Sequence, residues 1–173
     1  MPGKISGVPA GNWWVAIHLV WWDTGERTEA TLALKWAWLD LDTGALDVQP
    51  EARKGRSKGM LYVLRPDTLA TLRAMRSPER ELIFPWPTSV SSFYGAYGRL
   101  LKLADLPSDR RCKPQKMRRS FASHVEANGG NATEALGHSA RKVTVKSYLD
   151  PSICCKSPPN LLLPRIAPPE AHA

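Results

Sequence analysis

"KPQKMRRSFASHVEANGG", residues 113–130, puts two adjacent arginines, Arg118 and Arg119, at the start of a helical pattern. Pro114 biases the residue before it, Lys113, away from helical backbone. Asn128-Gly129-Gly130 suits the end, because a helix often closes on a left-handed residue that glycine adopts without strain. Between these signals Met117, Phe121 and Val125 recur every four residues and so share one stripe. The pattern predicts a helix whose apolar stripe enters the core and holds Arg118 at the rim.

Working outward, residues 12–22 ("NWWVAIHLVWW") read as a buried helix broken by Asp23-Thr24-Gly25. A second helix is expected over about 26–38, burying Leu32, Leu34 and Trp36. A turn at Thr43-Gly44 leads to a strand over 45–48. Residues 51–59 ("EARKGRSKG") form a basic turn, and "MLYVL" is a strand by composition. Pro66 opens a helix that presents Leu69 and Leu72, and a Pro-rich connection leads to another helix over about 89–106. After the quoted stretch, Asn131 can cap a short helix with Glu134 at the capping-box position. Gly137 stops it, and Ser139 can cap a last helix running through Tyr148 to Pro151. The tryptophans Trp13, Trp14, Trp21, Trp22, Trp36 and Trp38 read as core. The fold class is α+β, mostly helical, with a small antiparallel β-sheet. The expected organisation is a stub over 1–11, one domain over 12–153, and a Pro-rich, disordered tail over 154–173.

Composition narrows the function. No apolar run reaches the ~18 residues a membrane span needs, and the first residues lack the apolar segment of a signal peptide. Cys112, Cys154 and Cys155 make neither a disulfide framework nor a metal-ligand spacing. These features point to the cytoplasm. The formal net charge is +8, unevenly spread: residues 1–52 carry −4 and residues 53–119 carry +11. So concentrated a basic block suits a polyanion, since phosphate contacts release condensed counterions.

Four stretches occur in an order that carries more than each alone. They are "TGERTEATLALKW" with Arg27, "RKGRSKG" with Lys54 and Lys58, "QKMRRSFASH" with Gln115 and Arg118, and "LGHSARKVTVKSYLDP" with His138 and, ten residues on, Tyr148. In this order and spacing the chain resembles the catalytic domain of the tyrosine recombinases, or phage integrases, over about residues 7–151.

The resemblance implies the tyrosine-recombinase catalytic-domain fold and a site made of Arg27, Lys54, Gln115, Arg118, His138 and Tyr148. It implies site-specific recombination or integration of duplex DNA through a 3′-phosphotyrosyl intermediate, with self-association on DNA, a nucleoid-associated cytoplasmic location, and no metal or other cofactor. Tyr148 would be the nucleophile, preserving the phosphodiester energy in a covalent bond. Arg27 and Arg118 would bind the non-bridging oxygens with always-charged, forked donors. Lys54 would protonate the leaving 5′-oxygen, preferred over Lys58 as the glycine-preceding lysine early in the turn. His138 would hydrogen-bond the phosphate or assist proton transfer, and Arg119 would face the DNA backbone or solvent.

Three departures stand out. Gln115 occupies the usual histidine of the His-x-x-Arg element, and an amide cannot exchange a proton near neutral pH. Ala30 occupies the usual acidic position three residues after Arg27, and Glu29 points about 100° away on a helix. Only about eleven residues precede the domain, where relatives carry a helical DNA clamp, so the chain reads as a fragment, a degenerate remnant or a single-domain member. The alternative function is therefore a catalytically impaired remnant acting only as a DNA-binding module.

Overall fold

A computed structural model describes residues 3–53 and 58–154. Residues 4–9 form a small hairpin of β1 (Lys4–Ile5) and β2 (Val8–Pro9), so part of the expected stub is ordered. The helix α1 (Ala10–Thr24) follows and buries Trp13, Trp14, Ile17, Val20 and Trp21. It packs on α3 (Pro66–Met75) and α5 (Pro114–Ala127). Around its apolar face Phe84, Trp86, Phe93 and Tyr97 form an aromatic cluster, with Phe93 and Tyr97 supplied by α4 (Val90–Leu103). Trp22 departs from the core reading: it is 38% exposed and its ring lies against His124.

The second sheet pairs β3 (Ala45–Val48) with β4 (Met60–Val63), antiparallel, with Leu46 opposite Tyr62. The molecule thus holds two small antiparallel sheets among helices, one more than expected. No helix among the described residues is long and apolar enough to cross a membrane.

Two expectations need correction. The second helix does not run from 26 to 38. It is one short helix, α2 (Thr28–Leu32), followed by a 3₁₀ turn at Trp36–Trp38. The Leu34 carbonyl instead accepts from the Ile83 N–H (2.8 Å), and the Trp36 N–H donates to the Glu81 carbonyl (3.0 Å). A backbone recruited into these long-range bonds cannot continue an i→i−4 ladder. The second correction concerns the last helix. After α6 (Ala132–Ala135), which Asn131 caps as expected, α7 (Arg141–Ser147) starts at Ala140 rather than on a Ser139 cap. The short α8 (Pro151–Cys154) packs back on α5.

α5 fixes the geometry of the site. Lys113 is extended and Pro114 is the first helical residue. The stripe of Met117, Phe121 and Val125 is only half-buried, while Arg118, Ala122 and Ser123 are buried. Arg118 is 1% exposed and lies deeper than the stripe expected to hold it at a rim. The helix has two covered faces: Met117 meets the main core, and Ala122 joins a second cluster with Ala132, Leu136 and Tyr148.

Candidate active site

The site is assembled where three chain reversals meet α5. The first is the end of α1. Gly25 takes φ 61°, and a β-carbon there would sit 2.3 Å from the Phe121 ring, so only glycine fits. This turn aims the Gly25 carbonyl at Arg118, which donates to it through Nη1 at 2.7 Å. Arg27 follows, half-buried and extended, as the N-cap residue of α2.

The second reversal is the loop between α6 and α7. The Leu136 side chain is fully buried, and its carbonyl accepts from Arg118 Nη2 at 3.0 Å. His138 then presents Nε2 to Arg118 Nη2 at 3.2 Å and Nδ1 to the Thr144 hydroxyl at 2.9 Å. A guanidinium can only donate, so Nε2 is the acceptor and the imidazole proton sits on Nδ1. Burial, then the charges of Arg118, Arg27 and Arg53, push the His138 pKa down to about 4, which keeps the ring neutral.

The third reversal is the end of α7, where Tyr148 is the C-cap residue. Ser123 clamps it: the Ser123 hydroxyl donates to the Tyr148 carbonyl at 3.2 Å and accepts from the Asp150 N–H at 2.8 Å. Arg119 donates to the Ser147 carbonyl at 2.9 Å, so it fastens α7 rather than facing only DNA or solvent. The Tyr148 ring is 4.8 Å from the His138 ring and 5.4 Å from the Arg118 guanidinium carbon. Its hydroxyl lies 3.4 Å from Gln115 Nε2. Burial raises the phenol pKa, but Arg118 and Arg27, by charge and hydrogen bonding, outweigh it, and the net direction is down.

The structure therefore brings Gln115, Arg118, His138 and Tyr148 into contact, with Arg27 close enough for its charge to act on Tyr148, His138 and Arg118. Lys54 lies outside the described residues, and Lys58 is exposed. Tyr148 and Gln115 line a cleft with Arg110, Lys113, Lys116 and Arg119. Such a surface can hold a phosphate chain beside a phenol already biased toward its anion. Among the described residues no three His, Cys, Asp or Glu side chains gather as a metal-ligand set.

Sequence reasoning missed three residues behind the site: Glu26, Arg53 and Tyr62. Ala30 stands three positions after Arg27, and a buried carboxylate, Glu26, stands one position before it. Glu26 is 3% exposed; its Oε1 lies 2.9 Å from Arg53 Nε and accepts from the Tyr62 hydroxyl at 2.8 Å. Its Oε2 is 3.9 Å from Arg118 Nη1. No sequence signal marked it: an acidic residue in "TGER" reads as a surface ion until the fold buries its neighbours Thr24, Gly25 and Thr28.

The His138 environment predicts a pH dependence of stability. The unfolded histidine binds a proton near 6.5 and the folded one only near 4. The His138 contribution to stability should therefore be lost as pH drops from 6.5 to 4, because the unfolded state binds more protons in that window. Urea midpoints across this range, compared with those of His138→Gln, should show the slope in the parent and a shallower one in the variant.

Comparison with known proteins bears on the fold. No protein-family model and no curated protein matches the chain. Among solved structures, XerA recombinase superposes with a TM-score of 0.63 at 21% identity, covering 82% of this chain and 53% of that one. The Tn1549 transposon integrase, in complex with circular intermediate DNA, gives 0.64 at 17% identity over 84% and 58%. The XerH site-specific recombinase, in a post-cleavage complex with a palindromic difH substrate, gives 0.60 at 19% over 78% and 41%. The chain thus spans about half the length of these proteins. Its mostly helical body with two small antiparallel sheets has the fold of the tyrosine-recombinase catalytic domain.

Proposed function

We propose that this chain cleaves and rejoins duplex DNA through a 3′-phosphotyrosyl intermediate, as part of site-specific recombination. The observation that carries the reading is the placement of Tyr148, its ring 5.4 Å from the Arg118 guanidinium carbon and 4.8 Å from His138 on a cleft lined with basic side chains; the charges of Arg118 and Arg27 favour its anion. Support comes from the fold, shared with recombinases whose structures hold DNA.

In the proposed step the Tyr148 oxygen forms a bond to the scissile phosphorus and the bond to the 5′-oxygen breaks. The phenol proton leaves toward His138 or solvent, and the 5′-oxygen takes a proton from Lys54. Attack by a 5′-hydroxyl reverses the step and restores the tyrosine. Arg27 and Arg118 stabilise the charge that develops on the non-bridging oxygens. An arriving phosphate competes with His138 Nε2 for Arg118 Nη2, and its negative charge raises the imidazole pKa, which suits His138 to proton transfer once DNA is bound.

The test is incubation with a library of nicked duplexes, in which the short product strand diffuses away and traps the covalent species. A protein–DNA adduct that survives denaturant, with the nucleotide mapped by mass spectrometry to Tyr148, is the expected result. Salt-sensitive binding with no adduct on any duplex would favour the second reading, a DNA-binding remnant. Gln115 is the specific observation behind that second reading, because its amide stands beside the nucleophile where a proton acceptor would serve.

Gln115→His tests this directly. A ring nitrogen in reach of the Tyr148 hydroxyl can take the phenol proton near neutral pH. Adduct formation is expected to quicken by roughly 10²-fold, the low end of a general base's contribution, as read from single-turnover gels.

A further inference from the structure

Arg118 and Arg53 are two buried guanidinium groups that share one acceptor. Both donate to the Leu136 carbonyl, Arg118 at 3.0 Å and Arg53 at 3.1 Å. Arg53 also donates to the Lys58 carbonyl at 3.3 Å and presses on Gly137, where a β-carbon would meet its Nη2 at 2.8 Å. Like charges so placed repel in a medium that screens them poorly. The compensating charge is Glu26, which reaches Arg53 with one carboxylate oxygen and Arg118 with the other. Tyr62, with its hydroxyl on Oε1, orients that carboxylate from β4.

We propose that Glu26 and Arg53 are positioning residues of the site: the Glu26 carboxylate is the shared counterion that lets Arg53 and Arg118 stand together on the Leu136 carbonyl, and so sets Arg118 against His138 and Tyr148. This rests on the cleavage reading for its consequence in catalysis, but its geometry is a property of the DNA-free protein. Neither residue touches the reacting atoms. Their effect runs through Arg118, whose Nη1 and Nη2 are aimed by the Gly25 and Leu136 carbonyls. Glu26 also accepts from the Arg27 N–H at 3.3 Å, so one carboxylate steadies the start of both arginine positions.

The experiment uses Glu26→Gln, Arg53→Gln and the double variant in the full chain. Glu26→Gln keeps the shape and the hydrogen bond from Tyr62 but removes the counter-charge. Its adduct rate is expected to fall about 100-fold, a size typical of misplacing a phosphate-stabilising donor, while affinity for duplex DNA at fixed salt stays within about twofold, because the cleft cations are untouched. The double variant removes one of the competing cations as well and should recover at least tenfold of that loss. A rate for Glu26→Gln within threefold of the parent, or a double variant as slow as the product of the singles, overturns the proposal.

A second readout needs no cleavage. If Arg118 leaves His138 in Glu26→Gln, the His138 titration followed by NMR rises from about 4 toward 6.5, since a depressing charge has moved away. If Arg118 stays and only Glu26 is lost, the midpoint stays or falls, and the positioning role is refuted. An inactive parent whose His138 midpoint still rises in the variant refutes the cleavage reading and leaves the positioning role standing.

Discussion

Tyr148→Phe is expected to abolish the covalent adduct while leaving the fold and DNA affinity in place. The substitution removes a single oxygen. The ring itself is held by packing: Tyr148 is 8% exposed, in a cluster with Ala122, Ala132 and Leu136, between the His138 ring and Arg118. Phenylalanine fills the same space. The change removes the long 3.4 Å contact from Gln115 and the hydroxyl's interaction with Arg118 and Arg27, so the stability change should be about 1–2 kcal/mol. Binding rests on cleft cations that the change does not touch, and salt titrations of affinity should overlay those of the parent. In a nicked-duplex assay the adduct band should vanish. If the band persists, another residue is the nucleophile and the cleavage assignment fails at its centre. The parent's adduct rate should also climb with pH and level off below the roughly 10 of a free phenol. The sign follows from the charges: Arg118 and Arg27 favour the phenolate more than burial opposes it, so the plateau arrives early.

How far the site was legible follows from the range of each interaction. Local signals were read well. Pro66 opens α3, Asn131 caps α6, and β3 runs from Ala45 to Val48, because caps, prolines and β-rich runs act within a few residues. Motif order brought out Arg118, His138 and Tyr148, which the fold does gather. Depth was misjudged. A helical stripe records only the most apolar face, and α5 has a second covered face whose occupants are Arg118, Ala122 and Ser123. An arginine on a buried face looks wrong by hydropathy until its acceptors are known, and those lie far away in sequence: the Gly25 carbonyl is 93 residues off. The Glu26 cluster was illegible for the same reason. Its hydroxyl partner, Tyr62, is 36 residues away, and Arg53 reaches a carbonyl 83 residues away. No local pattern distinguishes a surface ion from one half of a buried pair. Only the folded chain supplies the partner that makes burial tolerable.

Arg118→Lys should be the most damaging conservative change in the molecule. Lysine keeps the charge, so a purely electrostatic role would survive it. The contacts of Arg118 argue otherwise. Its two terminal nitrogens span the Gly25 carbonyl at 2.7 Å and the Leu136 carbonyl at 3.0 Å, and Nη2 also meets His138 at 3.2 Å. Nε is buried without a partner among the described residues. A single ammonium cannot reach both carbonyls and the phosphate at once, and its charge is a point rather than a fork. Residue 118 should stop donating to at least one of these carbonyls, and because the Leu136 carbonyl keeps Arg53 the cost is about 1–2 kcal/mol in urea denaturation. The adduct rate should fall by roughly 10²–10³-fold, the usual effect of removing one oriented donor from a developing oxyanion. Arg119→Lys is the matched control, one residue away. Arg119 donates from Nε to one carbonyl at the exposed end of α7, so the same change there should cost less than about 1 kcal/mol and leave the rate within a few-fold. Equal losses at the two positions would mean that the basic face as a whole, and not a fork fixed by Gly25 and Leu136, does the chemistry.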